Sequence, residues 1–398
     1  MTRTGTLRCE SVTSLAAARL EKTVAADAVR HNLAVLRTAA GGRRIMAVVK
    51  GDAYGLGAPA IARLLVDAGA DALAVDTVAE GAELREHGID APVLVMDVDV
   101  TDTAAACARY GLMPAVATRE QIRRHHAVAW RHGTPVTVWL RTNVGFNRFG
   151  PREEREFATV LDALHETRTT TRVAGMFAHL PGTDRDNRET AEQVAMFRAR
   201  LARARTVLGP RLEASLAATH GLLHPEVVRG TDWARPGIGL YGLLEPARQE
   251  TADPARTGLD RLRPAVSVRA RVLDLLTVTR AEGLGYDRSA AVPPGRRLAS
   301  VAIGFSRGVS AAAPAFSGLL RGRSCPMVGC PGMDCTQFDV TDVPDARPGD
   351  WMTFIGPRRP GGGPERTAQQ AGAELGLSLY ELLATFRMPV RLEDPRAH

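Results

Sequence analysis

Hydrophobic positions along the 398-residue chain fall into two regimes, and the change lies near Pro254. From about residue 44 to 242, short continuous apolar runs alternate with segments whose apolar residues recur at helical spacing. The runs predict eight strands: Arg44–Lys50, Ala72–Asp76, Pro92–Asp97, Met113–Ala117, Val136–Thr142, Val173–His179, Leu212–Ala218 and Arg235–Tyr241. Between them, Pro59–Ala68, Thr118–Trp130 and Arg188–Leu208 carry the helical spacing. Unbroken Val, Ile, Leu and Ala is the pattern of strands buried on both faces. Eight strand–helix alternations predict an α/β fold, a parallel (β/α)8 TIM barrel rather than an open sheet.

Beyond Pro254 the period becomes two. Val266-Ser-Val-Arg-Ala-Arg-Val272 alternates strictly, and Leu298–Ile303, Met327–Val328 and Trp351–Ile355 are similar short runs punctuated by Gly and Pro. One helix is expected at about Gln369–Leu383, and Pro357–Pro364 reads as a loop. The expected organisation is an N-terminal segment 1–20 joining the β domain, a barrel over 21–253, and a C-terminal mainly-β domain over 254–398.

Composition narrows the function classes. A charge of +7 invites nucleic-acid binding, but the arginines are dispersed and no basic stripe or stacking-aromatic motif supports it. A basic mouth that attracts an anionic cofactor or a substrate carboxylate is the better use of that charge. No apolar run reaches membrane-spanning length, and the first residues lack the order of a secretory signal, so a cytoplasmic protein is expected. Five cysteines (Cys9, Cys107, Cys325, Cys330, Cys335) form no C-x-x-C pair, so no metal site is expected.

In such a barrel the active site lies at the C-terminal ends of the strands. Lys50, Arg141 and His179 lie at or near strand ends, Thr219 follows the seventh strand, and Arg235 opens the predicted eighth, which contains Gly237. A lysine ending a buried strand loses hydration, which is unusual unless it emerges into solvent. The turn after it, Gly51-Asp-Ala-Tyr-Gly-Leu-Gly57, suits close approach of a bound group. By themselves Tyr54, Tyr380 and His179 read first as packed rings, while Arg148 also reads as a solvated ion-pair partner and Arg235 as a strand-start charge.

Ala47-Val-Val-Lys-Gly-Asp-Ala-Tyr-Gly-Leu-Gly57 resembles the pyridoxal-phosphate (PLP) lysine motif of alanine racemases. Arg235-Pro-Gly-Ile-Gly-Leu-Tyr-Gly242 resembles a second motif of that family. Weaker matches follow in order, among them Gly145–Gly150, Phe177–His179, Gly285-Tyr286 and Gly332–Asp334, so the likeness spans about residues 20 to 390. The resemblance implies PLP held covalently by Lys50, which also serves as one of two bases, with Tyr286 of a partner subunit as the other. It implies Arg235 facing the pyridine nitrogen, which a guanidinium leaves unprotonated. His179 would pack on the ring. Tyr54, Tyr380, Thr219 and the Gly237 and Ile238 backbone would hold the phosphate, and Arg148 with the Met333 backbone the substrate carboxylate. A head-to-tail homodimer with shared active sites follows from the same resemblance.

The chain also departs from that family. Arg141 stands where many members have a carbamylated lysine paired with the arginine matched by Arg148, which inverts a charge. Two cations there need an anion: chloride, a nearby carboxylate or an acidic substrate group. Ala217-Ala218 replaces an Asn-Ser phosphate contact, Phe305 a tyrosine of the substrate corridor, and Cys330 an arginine. The expected function is a two-base racemase of alanine or a related amino acid. The alternatives are an epimerase or racemase of another amino acid in a specialised biosynthetic pathway, or a catalytically silent PLP-binding homologue.

Overall fold

The computed structural model describes residues 19–97, 103–182, 187–245, 253–285, 288, 290–313, 315–356 and 365–396. The chain forms two compact units. One runs from Asp27 to Arg263; the other takes the chain up to Ala26 and from Pro264 onward. These boundaries differ from the composition break for local reasons. The strand β1 (Leu20–Ala25) pairs antiparallel with the chain at Val266–Ala270, so it belongs to the β unit. The residues before Pro264 stay with the barrel unit because the Asn32 side chain donates to the Leu240 and Arg263 carbonyls and accepts from the Arg263 N–H.

The first unit is a closed barrel of eight parallel strands: β2 (Arg44–Val48), β3 (Ala72–Val75), β4 (Val93–Val95), β5 (Met113–Val116), β6 (Val136–Arg141), β7 (Thr171–Phe177), β8 (Glu213–Ala218) and β9 (Trp233–Arg235). Pairing of Arg44 with Trp233 and Ile45 with Ala234 closes the ring. Its interior is filled by side chains of unequal size. Trp139, Phe177 and Trp233 lie among Ala72, Ala74 and Ala115, with Met46, Val48 and Leu94 completing the layer. Gly175 makes room for Trp139: a Cβ there would lie 2.5 Å from its ring.

Seven predicted strands lie within a few residues of observed ones. The eighth is corrected. Pro236 cannot donate to a ladder, and the apolar run after it, Ile238–Tyr241, is a 3-10 turn. The strand is instead the three residues before Pro236, so Arg235 ends it rather than opening it.

In the second unit, β10 (Val266–Thr277) is long enough to pair twice. Its first half lies between β1 and a late strand at Trp351–Ile355, and its second half pairs with Arg297–Val301. The predicted single helix near Gln369–Leu383 is two, Ala368–Leu375 and Leu379–Thr385. Left-handed Gly376 ends the first, and Ser378 caps the second by accepting from the Glu381 N–H. Pro357–Pro364 lies outside the described residues. Among the described residues no helix is long and apolar enough to cross a membrane.

Candidate active site

The turn after β2 carries the most strained backbone near the barrel mouth. Gly51, Asp52, Ala53 and Tyr54 all have φ between 53° and 62°, a full left-handed turn in which only the first residue is glycine. Each non-glycine residue in that conformation costs about 1–2 kcal/mol. Specific bonds hold it. The Ala53 N–H donates to the Val49 carbonyl (2.8 Å), and the Asp52 carboxylate accepts from the Ala58 N–H (2.6 Å). The Glu80 carboxylate accepts from the Gly51 N–H (2.6 Å). Strain this well supported belongs to sites where a side chain must be aimed. Lys50 opens the turn and Tyr54 closes it.

A group of basic side chains assembles at the C-terminal ends of the strands. Lys50 lies two residues beyond β2, Arg141 ends β6, His179 lies two beyond β7, and Arg235 ends β9. Arg141 and Arg235 are buried. Desolvation, followed by the field of Arg141, pushes the Arg235 guanidinium down to about 9. Its Nη2 donates to the Ala178 carbonyl at 2.6 Å, while Nη1 is buried without a partner. His179 is pushed down to about 3, first by loss of hydration and then by Arg235, Arg148, Arg141 and Lys50. Lys50, Arg141, Arg148 and Arg235 all lie near enough to the imidazole for their charges to lower its proton affinity. His179 is therefore a neutral ring, packed edge-on to Phe146 at 4.9 Å. Arg148, exposed, lies 4.4 Å from the Phe146 centroid.

Opposite this group a small cradle is built from two turns. A Cβ on Gly237 would lie 2.1 Å from the Tyr54 hydroxyl, so the Tyr54 ring reaches across onto the backbone after β9. Thr219, buried directly after β8, accepts with its hydroxyl from the Gly237 N–H (3.1 Å) and the Gly239 N–H (3.3 Å). The Gly237 N–H bond to Thr219 ties the two loops together. Ile238 supplies the next backbone N–H, at the start of the 3-10 turn where helical partners are lacking.

Two sequence candidates fall in the other unit. Met333 and Tyr380 belong to the β unit, where both are exposed. The Met333 carbonyl accepts from the Ser306 N–H, and its neighbour Asp334 accepts from the Ser306 hydroxyl, so Asp334 orients the loop. Tyr286 lies outside the described residues.

Both units match known protein families. The alanine racemase N-terminal domain family matches residues 24–245, and the alanine racemase C-terminal domain family matches residues 265–393. The chain belongs to the alanine racemase family. An alanine racemase of Thioalkalivibrio sulfidiphilus is 34% identical over 374 residues, covering 92% of this chain and 96% of that protein. One from Xylella fastidiosa is 32% identical over 360 residues, covering 90% and 92%. Among solved structures, alanine racemase from Streptomyces coelicolor superposes with a TM-score of 0.87 at 26% identity, covering 95% of this chain and 99% of that one.

Within this alanine racemase fold the structure adds residues that the sequence reading passed over. Asp76 and Asp97 follow β3 and β4, and Asp76 Oδ1 lies 3.4 Å from Lys50 Nζ. Burial and Arg148 press the Arg141 guanidinium down to about 10, against the opposing fields of Asp97 and Asp76. Arg141 also lies 4.6 Å from the Phe149 centroid. The signal was available: an acid ending a buried apolar run is as anomalous as a lysine. A nearby carboxylate, one of the anions considered for the Arg141 region, is supplied by Asp97 and Asp76.

Proposed function

We propose that this chain is a PLP-dependent alanine racemase, working in the cytoplasm as a homodimer whose two active sites are shared. The observation that carries the reading is the unpaired, buried Nη1 of Arg235, set among Lys50, Arg141, Arg148 and a neutral His179. A buried donor without a partner costs about 1–3 kcal/mol, so it calls for an acceptor supplied by a ligand. A ring nitrogen opposite Arg235, an aldehyde at Lys50 and a phosphate at the cradle of Tyr54, Thr219, Gly237 and Ile238 meet each of these demands. The residues present therefore fit PLP, with Tyr380 as a further phosphate contact.

When bound, that cofactor supplies the electron sink that makes the Cα proton of an amino acid removable. The chain's own groups do the rest. Lys50 Nζ holds the cofactor and moves the proton on one face, and the Tyr286 hydroxyl moves it on the other. Arg235 stays protonated near neutral pH and donates without giving up its proton. Arg148 and the Met333 backbone orient the substrate carboxylate. Met333 and Phe305, both exposed on the β unit and joined through the Ser306 and Phe305 N–H bonds to the Met333 and Gly332 carbonyls, form the surface offered to the partner.

Incubating the PLP-loaded protein with L-alanine in D2O tests this. Deuterium at Cα together with loss of chirality is the expected result. Exchange with another amino acid alone would move the assignment to a racemase of different specificity. No exchange with any amino acid, while the cofactor absorbance is present, would sink the proposal.

A further inference from the structure

Asp76 and Asp97 follow consecutive strands, and their backbones are joined by the Asp97 N–H donating to the Asp76 carbonyl at 2.9 Å. Arg141, across the mouth, donates from Nη1 to the carbonyl of Met96, the residue before Asp97, at 2.5 Å. The guanidinium is buried, so its charge must be answered locally. Asp97 and Asp76 are the carboxylates whose fields oppose the loss of its proton. Asp76 Oδ1 also faces Lys50 Nζ at 3.4 Å.

A second carboxylate fixes that placement. Glu80 accepts from the N–H groups of Gly51 (2.6 Å), Asp76 (2.7 Å) and Thr77 (3.0 Å). It is also the third residue of the helix Val78–Glu86 and completes a capping box with Thr77. One side chain thus clamps the left-handed turn that carries Lys50 to the backbone of residue 76. Neither position can shift without breaking a bond of the other.

We propose that Asp76 is a positioning residue for Lys50: its carboxylate, balanced by Arg141 and clamped through Glu80, holds the Nζ amine over the barrel mouth. The proposal rests on the reading of Lys50 as the reactive amine. It assigns Arg141 a role in this chain's own terms, as the buried cation that Asp76 answers.

The test uses the full-length protein and four variants: Asp76→Asn, Asp76→Glu, Arg141→Met and the Asp76→Asn/Arg141→Met pair. Three readouts are taken: kcat and KM with alanine, the release rate of bound PLP on dilution, and the thermal midpoint without cofactor. Asp76→Asn is expected to lower kcat about fivefold with little change in KM, as loss of a partly exposed ion pair would. Asp76→Glu should recover most of that loss, and PLP release should quicken in the Asn variant. The two single changes should be non-additive in the midpoint, because removing Arg141 also removes the buried cation that Asp76 answers. Unaltered kcat and release in Asp76→Asn, or additive midpoints, overturn the proposal. If wild-type protein racemises nothing, the functional reading fails, while release and midpoint coupling still decide the role of Asp76. Should Arg141→Met fail to fold, Arg141→Lys replaces it, and it must preserve the effect of Asp76→Asn.

Discussion

Substituting Gly237 by alanine would place a Cβ 2.1 Å from the Tyr54 hydroxyl oxygen and 3.0 Å from Cζ of the same ring. The ring cannot simply retreat. It packs edge-on to Tyr241 at 5.7 Å, and Tyr241 is fully buried. Its own backbone is held in the left-handed turn, with φ at 62°. Forcing a methyl group into such a contact costs about 1–3 kcal/mol. If Tyr54 yields, the cost falls on the phosphate cradle, and PLP should bind about 5- to 150-fold more weakly. If the fold yields instead, each kcal/mol should lower the thermal midpoint by about 2–4 °C. Equilibrium binding of PLP followed by absorbance, with thermal unfolding of both forms, separates the two. Tyr54→Phe supplies the internal control: it removes the 2.1 Å contact and leaves Cζ at 3.0 Å, so adding Gly237→Ala to Tyr54→Phe should weaken PLP binding less than Gly237→Ala does in the wild type. A Gly237→Ala protein with unchanged affinity and midpoint would refute a cradle preformed by Tyr54.

Three further outcomes are expected. Tyr286→Phe should abolish racemisation, read as chirality loss, while PLP absorbance and affinity stay at wild-type values; retained racemisation would remove Tyr286 as the second base. In cofactor-free protein, the depressed His179 means that the unfolded chain takes a proton near its ordinary value of 6.5 while the folded chain waits until about 3. Stability is therefore complete above that ordinary value and lost as pH falls towards the folded one, so the midpoint should drop between about pH 7 and pH 5. His179→Gln should flatten that part of the profile; an identical slope would place the titrating group elsewhere. In the β unit, buried Lys22 donates to the Leu383 (2.8 Å) and Phe386 (3.1 Å) carbonyls at the end of the helix Leu379–Thr385. Lys22→Met leaves both acceptors dry and should cost about 2–4 kcal/mol in chemical denaturation, with a change below 1 kcal/mol counting against the reading.

How much was legible depended on whether a feature is local. The strands of the barrel could be read because burial on both faces leaves an unbroken apolar run, and Lys50 stood out because a charge ending such a run is anomalous. Asp76 and Asp97 carry the same anomaly, and the reading passed over them because an acid at a strand end also suits a turn. The eighth strand was misplaced because Ile238–Tyr241 is as apolar as a strand. Only the dihedral angles after Pro236 distinguish it as a 3-10 turn, and with that correction Arg235 moves to the functional end of its strand.

The sequence by itself determined the alternation that makes a barrel, the period-two β unit, and the family motifs around Lys50 and Arg235. These rest on side-chain period and on residues close together in the chain. Tertiary structure alone decided which charges answer one another. Arg141 lies far from Asp76, Asp97 and Arg235 in sequence, and it shares their field only because eight strands close into a ring. The field at each group, the unpaired nitrogen of Arg235 and the neutral state of His179 all follow from that closure, since Coulomb energy and desolvation depend on distance and burial rather than on order along the chain.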